Sequence, residues 1–246
     1  MARIKITSKQ ANGSAIINAG KKIIVFFIGG AGDKNSYYGY GPTELVKKSI
    51  LHAFKGRIAA CSLISPHIEY LGYEEIRGED DIKKNVIDKI VNKDIPIYII
   101  GHSLGGWNSA HLCKHLVNNG YNIRMLVTLD PVGEGVIVYV GSDIYKEAEA
   151  NPGAKIWINI SCNPICEDQS DKVADFGERW FPKSGPTIYY ESKCSHAEVF
   201  RMFTENILQD KSALDLLIED IVKVGSINSI FYFLHKAAEP FNCLEQ

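Results

Sequence analysis

Apolar and polar positions along the chain follow two alternating patterns. Continuous apolar runs recur as KIIVFFI, RIAACSLI, IPIYIIG, NIRMLVTLD, KIWINIS and TIYYES. Runs of this length suit strands buried on both faces. Between them the apolar residues repeat at helical spacing. GPTELVKKSILHAFKG places Leu45, Val46, Ile50 and Leu51 on one face, with Pro42 in its first turn and Gly56 past its end. EDDIKKNVIDKIVN carries Ile82, Val86, Ile87, Ile90 and Val91 on one stripe behind an acidic start. LGGWNSAHLCKHLVNNG is the third such stretch, and helical patterns over 197–208, 213–222 and 229–237 follow near the end. ARIKIT and SAIIN read as short strands at the start, followed by the turn signal NAGK.

Strands alternating with helices predict an α/β fold, with a mostly parallel, doubly wound sheet flanked by helices. No linker divides the chain, so 1–246 is expected to be a single domain. Two stretches, 133–153 and 162–186, lack a clear pattern. Both follow strand ends, where open α/β sheets bind ligands, and both are expected to be lid or insert loops.

Composition narrows the function classes. With 246 residues, 46% of them hydrophobic, the chain can bury a core without help from a cofactor or disulfides. A net charge of −2 offers no broad basic field, so a nucleic-acid partner is not expected. The longest strongly apolar stretch, IIVFFIGG, falls far short of the ~20 residues of a membrane span. MARIKITSKQANGSA has no apolar segment of the signal-peptide kind, so a cytoplasmic location is the default and export by a signal-independent route stays open. The six cysteines are then expected to be mostly free thiols.

The chemistry concentrates in YIIGHSLGGWNSA. Gly101-His102-Ser103-Leu104-Gly105 fits G-x-S-x-G, with a buried strand before it and a helix after it. A serine on that sharp turn is presented as a nucleophile at a helix N-terminus, and the N–H of Leu104 is suited to a developing oxyanion. The second donor is expected from the loop GGAGD, with Gly30 preferred over Ala31. That loop does not fit the phosphate-binding G-x-x-x-x-G-K-[ST] pattern.

Of seven histidines, His196 in KCSHAE follows the last strand and is the expected general base. His102 adjoins the serine and is expected to point away from its partner site. His111 and His115 have a zinc-pair spacing but lack the glutamate of H-E-x-x-H. His52 and His235 are expected to be structural. The orienting acid has two sources. Asp130 in LVTLDPVG ends a strand, and Pro131 is expected to keep it extended. Asp168 and Asp171, with Asp175 nearby, lie in the loop CEDQSDKVADFG and are the alternatives. Asp130 is preferred because a strand end fixes it.

GHSLGG, FFIGGAGD, TLDPVG and SHAE, in this order among the strands, resemble an α/β-hydrolase of the lipase/esterase group. The resemblance runs from about Ile23 to the helices after His196. LDP after the fourth strand resembles the acid position of animal neutral lipases, whereas most members place the acid one strand later. Ile28-Gly29 stands where the family often has His-Gly. The chain is also similar to bacterial lipase-like effector proteins.

The resemblance and the triad pattern together imply a serine hydrolase cleaving carboxylic esters, with a lipid or phospholipid ester favoured and no cofactor required. Thioesterase or amidase activity on the same triad, and a non-catalytic binding protein of this fold, are the alternatives. Peripheral membrane contact stays open, as does the oligomeric state. A zinc site drawn from Cys162, Cys166, Cys194 and His196 has loose spacing and competes with the base. A Cys162–Cys194 disulfide is geometrically conceivable but does not suit a reducing compartment. Trp180, Phe181, Val136, Ile137 and Tyr139 are expected to line an acyl pocket, form a lid or pack in the core.

Overall fold

The computed structural model describes residues 20–36, 41–133 and 150–237, with side chains as far as Ser226. The expected strands ARIKIT and SAIIN, and Val136, Ile137 and Tyr139 with most of 133–153, lie outside the described residues. Six strands form one parallel sheet: β1 (Lys21–Gly29), β2 (Ile64–Gly72), β3 (Ile97–His102), β4 (Ile123–Leu129), β5 (Ile156–Cys162) and β6 (Ile188–Ser192). Their order is β2-β1-β3-β4-β5-β6. The chain leaves β1 towards one side and returns to place β3 on the other. The topological switch point, where ligands bind in open sheets, therefore lies between the carboxyl ends of β1 and β3.

Helices cover both faces, as parallel strands require. They are α1 (His52–Ile58), α2 (Glu79–Asn85), α3 (Leu104–Asn118), α4 (Gln169–Phe176), α5 (Val199–Thr204) and α6 (Ala213–Ala237). The two-residue period of β1 divides its side chains between the faces. Ile23, Val25 and Phe27 pack with Phe54, Phe203 and Leu217 on one side; Ile24, Phe26 and Ile28 pack with Ile82, Trp107 and Leu116 on the other. Each large apolar side chain removed from water in this way contributes about 2–3 kcal/mol. This is a doubly wound, parallel α/β architecture, with the serine turn at the end of a central strand.

Several boundaries differ from the sequence pattern. RIAACSLI is not a strand. A single π-helical turn, Lys47–Leu51, runs into α1, which passes through Gly56 and uses Phe54 and Ile58 to reach the core. The strand starts at Ile64 and reads ISPHIEYLG, polar because it lies at the edge of the sheet among the described residues. The second expected helix breaks at Val86 (φ −122°) and continues as a short 3-10 turn. The last two helical patterns merge into α6.

Within 162–186, which reads as patternless, Asp168 caps α4. Its carboxylate accepts the N–H groups of Ser170 and Asp171. No helix among the described residues is long and apolar enough to cross a membrane.

The base of α6 is tied to the sheet by one buried carboxylate. Asp220 accepts from Tyr98 Oη at 2.9 Å and from Arg124 Nη2 at 2.6 Å and Nε at 3.1 Å. Asp220→Ala leaves the buried Tyr98 hydroxyl without its acceptor. It is expected to lower stability by about 2 kcal/mol, read as a lower urea midpoint with unchanged slope.

Candidate active site

The serine turn is built by backbones that nearly touch. Ser103 sits at φ 56°, ψ −131°, a conformation that costs about 1–3 kcal/mol and persists only where its surroundings enforce it. The turn is held from both sides. The Ser103 N–H donates to Leu129 O, and the Ser103 carbonyl accepts from Gly106, Trp107 and Val132. A Cβ at Gly105 would lie 2.5 Å from Ile28 O and 2.6 Å from Gly29 O, so only glycine lets α3 start against the end of β1. A Cβ at Gly30 would lie 2.6 Å from Ser103 Cβ and 3.0 Å from its Oγ. The expected oxyanion loop is thus in contact with the serine, and Ala31 follows at its partly exposed rim. Leu104 opens α3, nearly buried beside Val132 and Ala174.

The loop after β1 has its own anchor. Asp33 is buried, and its carboxylate accepts from Tyr70 Oη at 2.8 Å and Val46 N at 3.1 Å. Burial raises its pKa, opposed by the Tyr70 and Val46 hydrogen bonds. The backbone of Gly32 and Asp33 accepts from Thr43 and Glu44. Asp33 was not singled out by sequence.

His196 follows β6 and meets Asp130, which follows β4. Nδ1 of His196 lies 2.6 Å from Asp130 Oδ2. The same oxygen accepts from Arg179 Nε at 3.0 Å, and Asp130 Oδ1 accepts from the Cys162 N–H at 2.8 Å. Burial works to raise the Asp130 carboxyl. The His196 hydrogen bond and charge, the Cys162 N–H and the Arg179 cation outweigh it and hold the carboxyl below its usual range. Asp130 is not extended as Pro131 suggests. Its φ is +40°, in the left-handed region, where an aspartate is tolerated better than most residues. The turn carries its carboxylate back across the end of β5.

Asp168 and Asp171 sit elsewhere on the same loop system. Asp168 Oδ1 caps α4, and its carboxyl is lowered to about 2, chiefly by the Ser170 side chain. Asp171 is fully buried. Its Oδ1 accepts the backbone N–H of His196 at 3.0 Å, and its Oδ2 accepts the N–H of Asp168 at 2.9 Å. The Ala197 N–H donates to Ser170 Oγ at 3.0 Å. The N-terminus of α4 therefore holds the backbone on which His196 sits.

His102 also differs from expectation. Its ring lies 4.6 Å from the ring of His196, and its Nε2 is 2.9 Å from the His196 carbonyl. Burial, then the neighbouring His196 charge, lowers its pKa to about 3, so it is neutral and donates through Nε2 to that carbonyl.

Trp180 is buried between Trp107 and Trp157, with ring centroids 5.0 and 5.6 Å away, so it belongs to the core; Phe181 is about half exposed. The Cys162 and Cys194 sulfurs are 3.6 Å apart as free thiols, and Cys166 is exposed. The Cys194 hydrogen bond and burial push the Cys162 thiol up. His111 packs on Trp107, and His115 lies further along α3.

No family model matches the sequence, and no curated protein matches it. Solved structures that are similar in part include the following two. One is YbtT, described as a type II thioesterase from the yersiniabactin NRPS/PKS biosynthetic pathway. It is 12% identical, with 75% of this chain and 89% of that chain covered and a TM-score of 0.39. The other is described as the "putative cell surface hydrolase" from Lactobacillus plantarum WCFS1, at 12% identity, 74% and 85% coverage and a TM-score of 0.41. The architecture rests on the strand order and the serine turn.

The neutral His102 gives the fold a pH dependence of definite sign. In the unfolded chain this histidine gains its proton near pH 6.5, but in the folded chain only near pH 3. The unfolded state binds more protons throughout that window, so stability falls as pH falls. This group is expected to remove about 2 kcal/mol between pH 7 and pH 5. Urea unfolding at the two pH values should show that loss, and His102→Gln should reduce it.

Proposed function

We propose that the chain is a serine hydrolase acting on carboxylic esters through an acyl-enzyme on Ser103. The observation that carries this reading is the 2.6 Å contact between His196 Nδ1 and Asp130 Oδ2, at the same sheet edge as a serine held at φ 56°. In this reading His196 Nε2 takes the Ser103 proton as Oγ attacks the ester carbonyl. The N–H groups of Leu104 and of Gly30 or Ala31 stabilise the oxyanion. The imidazolium, balanced by Asp130, protonates the leaving alcohol. Water, deprotonated by His196, then attacks the acyl-enzyme; the acid is released and Oγ regains its proton.

A lipid or phospholipid ester is the preferred substrate class. Support comes from exposed apolar side chains on the segment that holds the His196 backbone: Ile165, Val173 and Phe176, with Phe181 beyond it. An ester panel of short and long p-nitrophenyl esters, phospholipids and a thioester tests this preference. It fails if long acyl chains give no gain in kcat/KM.

The reaction itself is tested with a fluorophosphonate probe. Labelling of the parent and its loss in Ser103→Ala is the expected result; a folded parent that does not react would indicate a binding protein instead. Asp130→Asn is expected to lower kcat about 10⁴-fold, as loss of the orienting acid does in serine hydrolases. A comparable loss in Asp168→Asn with Asp130→Asn near the parent would sink the assignment.

A further inference from the structure

Behind Asp130 lies a buried cation that the triad reading does not use. The Arg179 side chain is 7% exposed and its guanidinium meets three carboxylates: Asp130 Oδ2 through Nε at 3.0 Å, Asp171 Oδ1 through Nη2 at 2.6 Å, and Asp175 Oδ1 through Nη1 at 2.5 Å. Asp130 and Asp171 are 1% and 0% exposed, whereas Asp175 is half exposed. The backbone under Arg179 is fixed as well. Val132 pairs with Arg179 in an antiparallel bridge, Gly133 N donates to Glu178 O, and Trp180 N donates to Pro131 O. The buried Trp180 ring then locks the segment into the core.

We propose that Arg179 is a positioning residue for the triad: it sets the charge of the buried cluster facing His196 and joins the acid to the backbone of the base. This rests on the serine-hydrolase reading above. Both tasks follow from its bonds. Asp130 orients the His196 ring, Asp171 holds the His196 backbone N–H, and one guanidinium spans the two carboxylates. The two buried carboxylates and the one cation carry one net negative charge at rest, while the third carboxylate, Asp175, is half exposed and screened by water. The imidazolium that forms during reaction offsets that buried charge. Without Arg179 two carboxylates would be buried with no fixed cation, and the cluster would gain a proton to relieve them.

The other groups around the cluster do not supply that charge. His102, from the end of β3, is neutral. Cys162 meets Asp130 only through its backbone N–H, and its thiol is pushed up, hence protonated. Cys194 faces Cys162 and the Ser192 hydroxyl. Asp168 is tied up in the α4 cap, and Glu198 binds the Ser195 N–H at the exposed rim.

The sign of the effect is fixed. Removing a buried positive charge makes protonation of the Asp130–His196 pair easier, while removing a buried negative charge makes it harder. The test is the titration of the His196 ring by NMR, with far-UV circular dichroism to confirm folding. Arg179→Gln should move the midpoint up by about one pH unit or more, a shift typical for loss of an opposite charge at contact distance. Arg179→Lys, which keeps the charge but not the fork, should move the midpoint less than Arg179→Gln, and Asp171→Asn should move it down. The acid limb of the kcat/KM profile should follow the same order.

A folded Arg179→Gln with the parent's midpoint, or an Arg179→Lys that shifts like Arg179→Gln, would overturn the proposal. If Arg179→Gln does not fold, an unshifted Asp171→Asn does so alone. The outcome is separable from the function reading: absence of fluorophosphonate labelling in the parent rejects the hydrolase, while the NMR midpoints judge Arg179.

Discussion

The site depends on a steric constraint where β1, β3 and α3 converge. The start of α3 lies so close to the end of β1 that the Gly105 position faces two carbonyl oxygens, of Ile28 and Gly29, with no room for a methyl group. That closeness forces the turn at Ser103 and brings Gly30 against it. The strain at the serine is sustained by four backbone hydrogen bonds to Ser103, one to the end of β4, two from the first turn of α3 and one from Val132, and by the buried strands on either side. The Ser103 turn is therefore a product of packing between regular elements, not of a flexible loop.

A second layer depends on charge instead of contact. Asp130, Asp171 and Arg179 are buried together, and none would be tolerable there alone. Their hydrogen bonds run to the His196 ring and to its backbone, so one ionic group fixes the orientation of the ring and the path of the chain bearing it. The neutral His102 ring closes the other side. The segment 162–186 provides most of this layer, which explains why a stretch without strong periodicity is as buried at Asp171 and Trp180 as the sheet itself.

Sequence made the central sheet legible because strands buried on both faces are mostly apolar. β1 and β3 follow that rule closely, and β4 and β5 follow it apart from Arg124 and the buried polar residues Thr128, Asn159 and Ser161. It failed at β2, the outermost of the described strands, which carries Ser65, Pro66, His67 and Glu69 and whose preceding apolar run belongs partly to α1. Ser103, Asp130 and His196 stood out because each lies just beyond a strand end. Arg179 did not. Its signal was the spacing Asp171, Asp175, Arg179, four residues apart each time, which reads as a surface ion-pair ladder on a helix. Only tertiary structure turns Asp171 and Arg179 inward, with Arg179 past the end of α4 and Asp175 left at the surface. The left-handed Asp130 was hidden for a similar reason: Pro131 biases its neighbour towards extended backbone, and the hydrogen bond of Asp130 N to Ile160 O overrides the bias.

The strand order has a kinetic corollary. Ser103, Asp130 and His196 follow β3, β4 and β6, whose ends are brought to one side of the sheet only through parallel pairings across long stretches of chain, with β5 between the last two. Parallel pairings of this kind close large loops before any contact rewards them, and they form late. A chain that has completed β1 to β4 already owns the turn and the aspartate, yet it lacks the histidine and the arginine segment. The full constellation thus appears only once β5 and β6 have joined the sheet, so its presence reports on completion of the fold.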